Sequence, residues 1–219
     1  MDALEIVTGD APDSAVIWLH GLGADGHDFA PIVPELGLPS SAKVRFIFPH
    51  APMLPVTING GYAMPAWYDV KSLDLSQEED APGIRDSQRQ LEALIRRELE
   101  RGIASTRIVL AGFSQGGAIA LHTGLRYAEP LAGVLALSTY LPLPRTLRAE
   151  ASPANTRLPV FMAHGTADSV IPLAHGAASR DLLKQEGYAV EWHEYPMAHS
   201  VCAEEISDIG TWLTRIIAA

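Results

Sequence analysis

The sequence predicts an α/β fold with a mainly parallel central sheet and helices on both of its faces. Three observations carry that expectation. Short apolar runs alternate with longer amphipathic stretches along the 219 residues. Most of the short runs are apolar throughout, the pattern of strands covered on both sides. One of them leads straight through Gly112-Phe113-Ser114-Gln115-Gly116 into a helix-like stretch, so strand, tight turn and helix follow without a linker.

The first three strands are expected over residues 4–7, 15–19 and 44–48. Residues 49–80 break the scheme. They are rich in Pro and Gly, follow no period, and carry Met53, Leu54, Val56, Ile58, Tyr62, Met64 and Trp67. Long irregular segments in small proteins are usually functional or disordered, and this one is too apolar for disorder. It reads as a wall of a hydrophobic substrate pocket. From 82 to 101, Ile84, Leu91, Leu94, Ile95 and Leu99 form one stripe of a helix with charges elsewhere. A strand at 108–111 feeds a helix at 118–127, and strands follow at 133–137 and 159–163. The next helix, 174–186, runs into Gly187, suited to a helix C-terminus. In 189–195, Val190 and Trp192 alternate with Glu191 and His193, which places that strand nearer an edge. The last helix, 203–218, repeats Ile206, Ile209, Leu213 and Ile216 on one face. No repeat or linker interrupts the chain, and residues 1–219 read as one domain.

Composition excludes several classes of function. Lys plus Arg number 16 and Asp plus Glu 26, a net charge of -10. That charge repels phosphate backbones and anionic lipid surfaces, so neither nucleic acid nor a membrane is an expected partner. No run approaches the roughly 18 apolar residues of a membrane span. One cysteine, Cys202, allows no internal disulfide and suits a reducing compartment. With no basic, apolar leader at residue 1, a cytoplasmic protein is expected. Cys202 itself reads as a small packing residue near a helix start.

The chemistry centres on Ser114. A serine hydroxyl is a poor nucleophile until it is held on a tight turn beside a base and backbone N–H groups. Gly112 and Gly116 let that turn close, and the helix behind it points its amides and positive dipole end at developing negative charge. The base needs an orienting carboxylate, in the chain order Ser, acid, His, at strand carboxyl ends. Asp168 follows the strand at 159–163, within His164-Gly165-Thr166-Ala167-Asp168. His199 follows the strand at 189–195; its rival His193 falls mid-strand. An oxyanion hole would use the N–H of Gln115, next to the nucleophile, and of Leu22, in the loop His20-Gly21-Leu22-Gly23. His20 and His164 precede glycines at strand ends, where they suit hydrogen bonds to loop backbone. No His, Cys or carboxylate pair has a familiar zinc spacing. Gly21-Leu22-Gly23-Ala24-Asp25-Gly26 matches a dinucleotide fingerprint, but the strand at 44–48 ends without the carboxylate that would hold a ribose. No cofactor or metal is expected.

Taken together, His20-Gly21-Leu22-Gly23, Gly112-Phe113-Ser114-Gln115-Gly116-Gly117, His164-Gly165 with Asp168 and Pro172, and Ala198-His199 resemble the small carboxylesterase and acyl-protein thioesterase branch of the α/β-hydrolases. The resemblance spans nearly the whole chain and implies an α/β-hydrolase fold with no separate lid domain. It implies a cofactor-free serine hydrolase for small-molecule esters, lysophospholipids or acyl thioesters of short to medium chain, with an acylated protein as a further substrate form. It implies an acyl pocket involving Gly21, Met64, Trp67, Tyr140 and Leu141, and a homodimer. The competing expectation is a ligand-binding, receptor-like hydrolase fold with little turnover.

Overall fold

The computed structural model describes residues 1–72 and 79–218. In chain order its strands are β1 (Ala3–Val7), β2 (Ser14–Leu19), β3 (Val44–Pro49), β4 (Met53–Val56), β5 (Tyr62–Pro65), β6 (Ile108–Phe113), β7 (Gly133–Leu137), β8 (Val160–Gly165) and β9 (Val190–Tyr195). The α-helices are α1 (Ala81–Glu100), α2 (Gln115–Gly124), the single turn α3 (Leu147–Glu150), α4 (Leu173–Gln185) and α5 (Ala203–Ala218).

Seven strands form one sheet in the order β1-β3-β2-β6-β7-β8-β9. All neighbours run parallel except β1, which pairs antiparallel with β3 at one edge. The alternating strand β9 is the other edge.

Side chains alternate across this sheet, and the alternation builds two cores. Ala15, Ile17 and Leu19, Ile108 and Leu110, Val134 and Ala136, and Val160 and Met162 meet α1, α2 and Leu183 of α4. Their neighbours Val16, Trp18, Val109, Ala111, Leu135, Leu137, Phe161 and Ala163 meet Ile209, Trp212 and Leu213 of α5 and the 3-10 helix Ala30–Leu36. This is why the inner strands read as unbroken apolar runs: neither face sees water.

Two features differ from the sequence reading. Residues 53–65 are not irregular: β4 and β5 pair as an antiparallel hairpin through a 3-10 turn at Thr57–Asn59. The turn closes on Gly60 and Gly61, both at positive φ (67° and 79°). Residues 73–78 of the same expected loop lie outside the described residues. Helix α2 opens at Gln115, three residues before the expected start, because Ser114 itself is the N-cap.

Helix α2 is buried on every side. Its His122 Nε2 lies 3.0 Å from the Gln88 Oε1 of α1. Burial, reinforced by Arg126 and Arg85, pushes the His122 pKa from 6.5 down to about 3. Between those values the unfolded chain binds a proton that the folded one refuses, so this stabilising contribution is present above pH 6.5 and is lost as pH falls towards 3. Urea midpoints measured down this range should therefore fall. In His122→Gln, which takes up no proton, the slope is expected to be shallower by up to about one proton's worth.

Candidate active site

Because β2, β6, β7, β8 and β9 are parallel, their carboxyl ends share one rim of the sheet, and the loops beyond them meet there. Ser114 stands between β6 and α2 at φ 54°, ψ −122°, a conformation L-residues rarely adopt. Its N–H donates to Leu137 O (2.8 Å), and the Thr139 hydroxyl donates to Ser114 O (2.7 Å), so the end of β7 clamps the turn. The flanking glycines are a steric requirement. A Cβ on Gly112 would lie 2.3 Å from the carbonyl carbon of Gly116, and one on Gly116 would lie 2.4 Å from Leu19 O.

His199 Nε2 is 2.9 Å from Ser114 Oγ, and its Nδ1 is 2.7 Å from Asp168 Oδ2. Facing an acceptor-only carboxylate, Nδ1 carries the proton, which leaves Nε2 to accept from the serine hydroxyl. The other Asp168 oxygen accepts from the N–H groups of Val170 and Ile171, both at 2.9 Å. The Phe113 ring packs against the imidazole, centroids 4.7 Å apart. The sequence-expected acid and base thus meet the expected nucleophile, whereas His193 lies on β9 beside Glu191 (3.1 Å).

Two buried histidines hold the loops around this trio. His164 Nε2 donates to Ile171 O (2.8 Å) and lies 3.4 Å from Asp168 Oδ2. Burial depresses its pKa, so the ring stays neutral. His20 accepts from Ala51 N–H at Nε2 (3.1 Å), which puts its own proton on Nδ1, 2.7 Å from Gly21 O. Burial lowers this pKa too. In a trans peptide the carbonyl and the following N–H point in opposite directions. Anchoring Gly21 O to His20 therefore turns the Leu22 N–H away from the ring.

A cavity of about 490 Å³ opens beside Ser114 and His199. Leu22 and Gln115 line it, as do Gly21 and Tyr140 among the expected pocket residues. Met64, Trp67 and Leu141 are not in its wall, which corrects the sequence reading. Trp67 is buried beneath, its indole N–H on His20 O (2.9 Å) and its backbone N–H on Gln115 Oε1 (2.8 Å). Leu141 points into the core, its N–H held by Ser179 Oγ (2.8 Å). Met64 lies on β5, its sulfur 3.3 Å from Asn59 Nδ2. Ile58, one of the apolar residues by which 49–80 reads as a pocket wall, does line the cavity, whereas sequence reasoning did not single out Tyr68, Val70, Phe113, Val170 and Ile171, which supply much of the rest of the apolar wall. The signal for part of it was present: Asn59-Gly60-Gly61 is a hairpin turn pattern. Nothing local marked Tyr68, whose hydroxyl pairs with Tyr140 at 2.9 Å across 72 residues. Burial raises the pKa of both phenols, that of Tyr140 to about 12, so both stay neutral.

Comparison with known proteins matches residues 1–217 to the phospholipase/carboxylesterase family. The chain belongs to that family. With it comes the α/β-hydrolase fold, and membership makes the chain a hydrolase of ester or thioester bonds. It is 45% identical over 212 residues to acyl-protein thioesterase 1 of Neurospora crassa, covering 92% of this chain and 86% of that one. The corresponding protein of Yarrowia lipolytica is 41% identical over 220 residues, covering 98% and 97%. Among solved structures, acyl-protein thioesterase 2 of Zea mays superposes with a TM-score of 0.88 at 30% identity, covering 99% of each chain.

The elbow glycines give a direct test. Gly116→Ala forces a Cβ against main chain that cannot swing aside, and is expected to cost about 1–3 kcal/mol. Chemical denaturation should show a lower midpoint with an unchanged slope; an unshifted midpoint would mean that the turn has slack.

Proposed function

We propose that Ser114, His199 and Asp168 are the nucleophile, base and orienting acid of a serine hydrolase that works through an acyl-enzyme. The observation that carries this is the pair of hydrogen bonds on His199, 2.9 Å to Ser114 Oγ and 2.7 Å to Asp168 Oδ2. As Oγ attacks the acyl carbonyl, His199 Nε2 takes its proton, and Asp168 stabilises the imidazolium that forms. The N–H groups of Leu22 and Gln115 receive the tetrahedral oxyanion. Gln115 is the first residue of α2, where backbone N–H groups have no partner within the helix. Its side chain is tied back to Trp67 N–H and Tyr68 O, which keeps it out of the way. Protonated His199 expels the alcohol or thiol, and water repeats the sequence on the acyl-enzyme.

The substrates proposed are esters and acyl thioesters of short to medium chain. The apolar wall of Ile58, Val70, Val170 and Ile171 supports an acyl group there, and the cavity volume lies in the small-ligand range. The likeness to acyl-protein thioesterases supports an S-acylated protein as a larger form of the same substrate. A cytoplasmic setting fits the single, half-buried Cys202. Among the described residues no helix is long and apolar enough to cross a membrane.

A panel of nitrophenyl esters and acyl thioesters of graded length, measured as kcat/KM, tests this reading. Ser114→Ala should fold normally and lose about 10⁴-fold or more of every activity. Turnover by that variant at a wild-type rate would remove Ser114 from the mechanism.

A further inference from the structure

The loop that follows β2 has two sides. Gly21, Leu22, Ala24 and Asp28 line the cavity. Asp25 and His27 instead stand exposed, their side chains 55% and 69% accessible, with His27 Nδ1 3.0 Å from Asp25 Oδ1. The chain leaving β3 brings His50 beside them, its ring 5.4 Å from that of His27. One donor atom from each of Asp25, His27 and His50 lies within 4.8 Å of the other two. We propose that these three residues form a surface site for a divalent transition-metal ion of the zinc type.

The donor set selects the ion. Two imidazoles and one carboxylate suit zinc, with water in the fourth position, whereas calcium and magnesium want six or more oxygens. Zinc bonds of about 2.0–2.1 Å put tetrahedral donors roughly 3.4 Å apart. Asp25 Oδ1 also accepts from the His27 backbone N–H (2.7 Å), so the exposed His27 ring makes most of the movement that closes the remaining gap. The ion would sit between His27 Nδ1 and Asp25 Oδ1, which now face each other at 3.0 Å. A net charge of -10 favours cation approach.

His50 sets the limit on affinity. Its Nδ1 accepts from Gly26 N–H (3.1 Å), so a neutral ring carries its proton on Nε2 and must give up that contact or turn to ligate. Gly26 is packed so closely that a Cβ there would lie 2.3 Å from Phe48 O. The ring, not the backbone, makes the adjustment. Micromolar rather than nanomolar binding follows. The spacing escaped the sequence reading because His50 joins the other two only through the parallel pairing of β2 with β3.

The site stands independently of the hydrolase reading, and its test uses no substrate. Zinc chloride titrated calorimetrically into the full chain should bind with a micromolar Kd, weakening about tenfold or more between pH ~7.5 and ~5.5 as protons compete for the imidazoles. His27→Asn and Asp25→Asn should each weaken binding about tenfold, and His27→Asn with His50→Gln together should abolish it. Metal-free melting temperatures check that each variant is folded. Wild-type affinity in the folded double variant would place the ion elsewhere and overturn the proposal, as would no binding to the wild type at about 1 mM zinc.

Discussion

The contact on which this architecture converges is the hydrogen bond between His199 Nε2 and Ser114 Oγ. It joins residues 85 positions apart, and neither side chain could reach the other without the sheet. Ser114 is fixed by β6, by the clamp from β7 and by the close approach of Gly112 to Gly116. His199 is fixed from behind by Asp168, whose own carboxylate is held by two backbone N–H groups and approached by a neutral, buried histidine. A strained backbone conformation of this kind persists only where its surroundings over-determine it, and here they are strand ends of one sheet together with the first turn of α2.

That sheet in turn depends on two apolar layers. The alternation of β2, β6, β7 and β8 between the α1–α2 side and the α5 side leaves the rim as the place where polar side chains gather. Ligands and reacting groups in such folds collect at strand carboxyl ends for the same reason. Much of the cavity wall comes instead from loops and from the turn of the β4–β5 hairpin.

Much of this was legible in the sequence because it is encoded locally. Unbroken apolar runs marked the inner strands, the alternating run 189–195 marked an edge, and Gly-x-Ser-x-Gly marked the elbow. Asp168 and His199 could be placed because strand ends are readable even when contacts are not. The pocket was less legible. Met64, Trp67 and Leu141 are apolar and sit near the right elements, yet whether such a residue faces a cavity or the core is decided by packing. Trp67 turns inward, where its indole finds His20 O, and the Leu141 side chain joins the core while Ser179 holds its backbone N–H. The hairpin at 53–65 went unread despite its Asn-Gly-Gly turn, since Pro55 and Pro65 interrupt the strand signal. The Tyr68–Tyr140 pair and the Asp25–His27–His50 group are long-range products of the fold, with no local signature.

The central claim, that the fold delivers an activated serine at position 114, is tested most directly by covalent trapping with a fluorophosphonate, followed by mass-spectrometric mapping of the adduct. One adduct per chain is expected, on Ser114, with the labelling rate collapsing in a folded His199→Ala variant. Labelling at another residue, or at an undiminished rate without His199, would contradict it.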